Sequence, residues 1–317
     1  MSAQQEQKTT LELGSAYGAL VEQPALIRLR LLAKHVKRWK SRKRSRQLGG
    51  HASPFRGRGL SFHHVREYQG GDEIRHIDWR VTARTTTAHT KVFEEETERP
   101  VLLFLDQRQN MFFGSQRCFK SVLASHVMAL LAWTALESND RVGGLIFNDT
   151  GHKEVRPRRN HRSALSLIHQ AVEYNHALAE NPAASPNTGQ SLAKALEELR
   201  RINRPGSSVF LISDFQGLDE EGIRQLHLLS RHSDVFALNI HDPMEQQLPN
   251  AGLLSVSNGQ QRLHLNIGKN LRQRFSDHSA EQQTNLKLQL RKMGIRLINL
   301  TTDQAFFPVL QKELGLS

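Results

Sequence analysis

Residues 101–106, VLLFLD, are an unbroken apolar run ending in one acid, and how this stretch is read decides the fold. A half-buried strand would alternate apolar and polar residues. A short continuous run implies cover on both faces, as in a parallel sheet flanked by helices. Toward the C-terminus, strand-like runs recur at 141–149 (RVGGLIFND), 208–215 (SVFLISDF), 234–240 (DVFALNI) and 294–300 (GIRLINL). Between them lie helical patterns at 119–137, 161–178, 191–202, 221–232 and 271–293, and a short helix closes the chain. This alternation predicts an α/β fold with a mainly parallel, Rossmann-type sheet and helices on both faces. Asn258-Gly259 marks a hairpin turn between LLSVS and QRLHL, and 181–189, with two prolines, reads as a surface loop.

In open sheets of this kind ligands gather at the carboxyl ends of the strands. Asp106 and Asp214 are expected there, with Arg108 and Asn110 in the loop Asp106-Gln107-Arg108-Gln109-Asn110, and with Thr188 ahead of the helix SLAKALEEL. The order resembles the von Willebrand factor A fold, whose adhesion site holds a metal with an Asp-any-Ser-any-Ser loop, a later Thr and a later Asp. That resemblance implies Mg²⁺ or Mn²⁺ on hard oxygen ligands. Both serines are missing, and Arg108 stands where a hydroxyl would be. The alternative is a metal-free site held by an ion pair from Arg108 to Asp106 or Asp214. Taken singly, the same residues serve as helix caps and turn formers.

Ahead of this domain, residues 57–84 read GRGLSFHHVREYQGGDEIRHIDWRVTAR, mixing glycines, arginines, acids and a Trp without simple periodicity. Gly59 and the Gly70-Gly71 pair suit positive φ or close chain approach, and Arg66, Asp72, Arg75, Asp78 and Arg80 could form an ionic network around Trp79. Three β-prone runs, 61–68, 73–79 and 89–98, predict a small β-rich unit. Together with Tyr68 and Arg84 these residues resemble the signature of the bacterial domain of unknown function 58 family: Gly-any-Gly, an aromatic, Arg-Glu-Tyr, Gly-Asp, Arg, Ile-Asp-Trp and Ala-Arg. The resemblance continues through Phe93 to Glu96 and at Asp242, Pro243, Glu245, Leu248, Pro249 and Gly252. The expected organisation is an N-terminal basic helical segment (1–49), the β-rich unit (50–99) and a von Willebrand factor A-like domain (100–317).

The chain has 317 residues, 43 basic and 31 acidic, for a net charge of +12. Much of the excess lies in Lys37, Arg38, Lys40, Arg42, Lys43, Arg44 and Arg46, after an imperfect apolar stripe from Pro24 to Trp39. Such a run attracts nucleic acid, an anionic membrane surface or an acidic partner protein. One cysteine, Cys118, excludes an intramolecular disulfide and reads as a small buried hydrophobe. The N-terminus lacks the pattern of a secretory signal, and the longest apolar run is too short to span a bilayer. A cytoplasmic protein is expected, with peripheral attachment to the inner membrane as an option.

Catalytic patterns are weak. The sixteen histidines lack the spacing of a zinc helix, and there is no phosphate-binding loop and no nucleophile elbow. A metal-dependent phosphodiesterase built on Asp72, Asp78 and Glu95 conflicts with the arginines among them. The leading expectation is a non-enzymatic protein-binding adaptor, without a small-molecule substrate, in which Asp214 serves binding rather than folding. The family resemblance implies a MoxR-type AAA+ ATPase as partner, in chaperone-like assembly of a client complex. A nucleic-acid-binding protein using the basic segment is the alternative.

Overall fold

In a computed structural model of the chain, residues 13–34, 36, 39, 60–72, 74–85, 87–95, 100–180, 191–250, 252–257 and 262–316 are described. The chain divides into two compact units, Arg44–Glu98 and the remainder, Met1–Lys43 with Arg99–Ser317.

The larger unit is built on a six-stranded sheet. Its strands are β3 (Pro100–Asp106), β4 (Arg141–Phe147), β5 (His152–Arg158), β6 (Ser208–Ser213), β7 (Asp234–His241) and β10 (Arg296–Thr301). Their spatial order is β10-β7-β6-β3-β4-β5. All neighbours are parallel except β5, which returns antiparallel along β4 as an edge strand. The chain starts in the middle of the sheet, builds one half and crosses to the other, which is doubly wound order with its switch point between β3 and β6.

The apolar run of β3 has cover on both faces. Val101, Leu103 and Leu105 join one core, and Leu102 and Phe104 join the other. The first core is covered by α3 (Lys120–Glu137), α4 (His161–Glu180) and α9 (Phe306–Leu314), and the second by α5 (Leu192–Ile202), α6 (Glu220–His232) and part of α8 (Lys269–Lys292). α3 is buried along nearly its whole length, so it carries apolar residues on every side. The glycine pair in RVGGLIF has a steric cause: a Cβ at Gly144 would fall on the Leu103 carbonyl, and one at Gly143 on the Val155 carbonyl. The β4–β5 register shifts at the same place. β8 (Leu253–Ser257) and β9 (Arg262–Asn266) pair antiparallel as a separate hairpin; Asn258 and Gly259 lie outside the described residues.

The N-terminal segment, expected to stand apart, belongs to the larger unit up to Lys43. Its helix α1 (Gln23–Ala33), shorter than the stripe suggested, packs Leu26, Leu29, Leu32 and Ala33 into the first core. Trp133 donates its indole N–H to the Leu26 carbonyl at 3.1 Å. Trp39 sits edge-on to Phe210 of β6, with ring centroids 4.8 Å apart. The apolar stripe drives this packing because burying each large apolar side chain is worth roughly 1.5–3 kcal/mol, while Arg28 and Lys34 of the same helix region stay exposed. The basic residues Lys37, Arg38, Lys40, Arg42, Lys43, Arg44 and Arg46 lie outside the described residues.

In the smaller unit β1 (Leu60–Glu67) pairs antiparallel with β2 (His89–Glu95), with a register shift between Phe62 and His64. The middle run expected as a strand is instead a 3₁₀ turn (Ile74–His76) followed by α2 (Trp79–Thr85). Asp78 decides this: its Oδ1 accepts the backbone N–H groups of Arg80 and Val81, the bonds of a helix start.

Candidate functional site at the sheet rim

At the carboxyl ends of β3 and β6, Asp106 is fully buried. It accepts from Arg108 N and Nε at 3.0 Å, from Arg108 Nη2 at 2.7 Å and from Ser213 Oγ at 2.6 Å. Arg108 also donates from Nη2 to the Gln216 carbonyl and lies over the Phe147 ring. Its distance to Asp214 is 3.9 Å. Burial pushes the Asp106 carboxyl above its usual range, against the pull of Arg108. Burial opposes the Arg108 charge too, but the nearby carboxylates, Asp106 above all, outweigh it.

Asp214 is held by three donors, one of them the Gln216 backbone N–H, which bonds Oδ1 at 3.0 Å. Asn110 Nδ2 bonds both of its oxygens, at 2.9 and 2.8 Å, and Lys120 Nζ lies 2.7 Å from Oδ2. Lys120, in the first turn of α3, has no exposed side-chain surface and reaches Glu245 Oε1 at 2.6 Å with the same ammonium. Burial works against that charge, yet Asp214 and Glu245 together hold the lysine pKa above its ordinary value. Glu245 belongs to α7 (Pro243–Gln246), where it accepts from Asp242 N in a capping box. Asp242 accepts from Ser115 N, Ser115 Oγ, Thr302 Oγ1 and Met244 N. Burial raises the Asp242 pKa, but these bonds more than offset it and the carboxyl sits below its usual value. Asp149 closes the rim by accepting Gln109 N at 2.7 Å.

Asp106, Arg108, Asn110 and Asp214 thus meet in one cluster, whereas Thr188 lies outside the described residues. Asn110 faces Asp214 with its amide nitrogen, not with the carbonyl oxygen that a metal would need. Arg108 and Lys120 occupy the carboxylate oxygens, and no group of three or more His, Cys, Asp or Glu among the described residues could hold an ion. This donor set does not fit Mg²⁺ or Mn²⁺, which require free oxygen ligands. Sequence reasoning missed Lys120, whose one signal is a lone charge opening an apolar helix. In the sequence Glu245 stands out only as part of the family pattern.

In the smaller unit Arg66 pairs with Asp72 at 2.7 Å, and Asp72 also accepts Gln69 N, which holds its pKa below the ordinary value. Gly71 has φ +115°, and Tyr68 N bonds the Ala88 carbonyl. Asp78 lies 3.6 Å from Lys91. Arg75, Arg80 and Arg84 are exposed and join neither of these pairs. The expected network around Trp79 is therefore two separate pairs, and Trp79 is 68% exposed, with Ile74 at 67%. Asp72 and Asp78 instead serve the loop and the helix start, while Arg75, Arg80 and Arg84 stay exposed.

A family model described as "Protein of unknown function DUF58" matches residues 64–285. The chain belongs to the DUF58 family. Uncharacterized proteins of Mycobacterium bovis and Mycobacterium tuberculosis are 28% identical to this DUF58 chain over 258 residues, 81% of its length and 79% of theirs. An uncharacterized protein of Mycobacterium avium is 28% identical over 144 residues, 44% of this chain and 84% of its own. Among solved structures, a von Willebrand factor type A protein from Catenulispora acidiphila is similar at a TM-score of 0.32 and 14% identity, over 49% of this chain and 35% of that one. The chain spans about a third of that protein's length. The strand order makes the larger DUF58 unit a doubly wound α/β domain, mainly parallel with one antiparallel edge strand. Among the described residues no helix is long and apolar enough to cross a membrane.

Proposed function

We propose that this DUF58 chain is a non-enzymatic protein-binding adaptor that docks a partner through the surface of residues 74–84. The observation that carries the reading is Trp79, exposed on α2 beside exposed Ile74, Arg75, Arg80 and Arg84. Trp and Arg are the residues in which interface energy concentrates, because each offers a large contact area with directed donors. The sheet rim supports a non-catalytic role, since its carboxylates are taken up by Arg108, Lys120 and backbone donors. A saturated carboxylate is a poor general base.

The family resemblance supplies the partner class, a MoxR-type AAA+ ATPase, and the setting, chaperone-like assembly of other complexes in the cytoplasm. Calorimetry with the purified MoxR-type ATPase of the same organism tests both parts. Trp79→Ala is expected to weaken binding by about 2 kcal/mol, or roughly 30-fold, and Arg80→Glu to weaken it as well. Unchanged affinity in both variants moves the docking surface elsewhere, and no binding by the wild type removes the ATPase. Affinity for nucleic acid falling steeply with salt would favour the basic segment instead.

A further inference from the structure

A cavity of about 630 Å³ opens beside the Asp214–Lys120–Glu245 cluster, at the ends of β6 and β7 and under one face of α8. None of the described residues lining it is Lys or Arg. Asp214 and Glu245 form its acidic side, with 26% of the Glu245 side chain exposed. Gln282, Gln283 and Gln289 of α8 also line it. The two cations nearby are already engaged, Lys120 by both of these carboxylates and Arg108 by Asp106 and Gln216.

Among the described residues the rim carries Asp106, Asp149, Asp214, Asp242 and Glu245 near Arg108, Arg117 and Lys120, so acids outnumber bases there in a chain whose net charge is +12. A concave, partly desolvated site focuses such a local excess. His241, only 9% exposed, also lines the cavity, and its Nδ1 has no hydrogen-bond partner. Burial pushes this imidazole below its usual pKa, so at neutral pH the ring is uncharged and one nitrogen is an acceptor. The carboxylates and the imidazole nitrogen accept, and the glutamine amides can present their oxygens, so the cavity suits a ligand rich in donors.

We infer that this cavity binds a cationic group, an ammonium or a guanidinium, whose N–H donors meet Glu245, the free His241 nitrogen and the amide oxygens of α8, with Asp214 adding its charge but no free acceptor. The group comes either from a free polyamine or from a basic side chain of a bound protein, and the second source rests on the adaptor reading. The test titrates the full chain at low ionic strength with arginine amide, agmatine and spermidine, and with citrulline amide as the neutral isostere. Arginine amide is expected to bind and citrulline amide not to. Gln283→Lys, which tethers an ammonium in the cavity from the partly exposed face of α8, is expected to weaken binding by about tenfold or more through like-charge repulsion. Gln289→Lys, at an exposed position, serves as a second blocking variant.

Tight binding of spermidine or agmatine assigns the site to a free polyamine. Weak binding of every free cation, together with loss of ATPase binding in Gln283→Lys, assigns it to a partner's side chain. Equal binding of citrulline amide and arginine amide, no binding of any cationic probe, or wild-type binding in both lysine variants overturns the inference. Trp79→Ala should leave the titration unchanged, so failure of the docking surface and failure of the cavity are told apart.

Discussion

The ammonium of Lys120 and the carboxylate of Asp214 lie 94 residues apart in the chain and 2.7 Å apart at the sheet rim, with the lysine side chain fully buried. An ammonium without water needs its counter-charge, so Asp214 is part of the folding energy as well as of the rim surface.

Asp214→Ala should therefore destabilise the chain by about 3 kcal/mol, the lower end for breaking a buried pair, because Glu245 still faces Lys120. This reverses the expectation from sequence that Asp214 serves binding alone. Urea unfolding of the wild type and variant measures it, and a loss below about 0.5 kcal/mol, the range of ordinary surface changes, would contradict it.

The raised pKa of Lys120 sets an alkaline limit. Because the folded value lies above the unfolded one, the stabilisation is complete below about pH 10.4 and is lost as pH rises through the folded value. Lys120→Met should have a shallower decline of stability with pH in that window, by up to one proton. Identical slopes in chemical denaturation at high pH would remove Lys120 from the account.

Cys118 should be inert in the folded chain. Burial pushes its thiol up to about 12, and its Sγ donates to the Thr302 carbonyl. At pH 8 the native thiolate population is lower than that of a free cysteine by on the order of a thousandfold. Ellman's reagent should react promptly only after denaturation, and prompt modification of the native protein would refute the burial.

Two tryptophans give a direct contrast. Trp39 is 3% exposed against Phe210, and Trp79 is 68% exposed. Trp39→Ala should cost about 3–5 kcal/mol by leaving a cavity, whereas Trp79→Ala should stay within about 0.5 kcal/mol. Thermal melts of both variants decide this, and a large loss in Trp79→Ala would make its role structural.

The strands and helices of the larger unit could be located in the sequence because their signals are local: VLLFLD, SVFLISDF and DVFALNI each carry their own burial pattern. Asp106 and Asp214 at strand ends were legible for the same reason. The run 73–79 misled, since its β-prone residues are overruled by Asp78, whose side chain closes the first turn of α2. The N-terminal segment misled through its charge, although its leucines are what pack on α3 and α4.

The sequence by itself determined that a doubly covered sheet forms and that acids stand at its rim, because apolar periodicity and strand termination are written within a few residues. Only the tertiary structure decided which charges neutralise those acids, that Lys120 and Arg108 occupy them, that Glu245 and His241 turn toward one cavity, and that Trp39 is buried while Trp79 is not. Those outcomes depend on which loops meet at the rim and on how much water packing removes from each group. Neither quantity belongs to any single stretch of the chain.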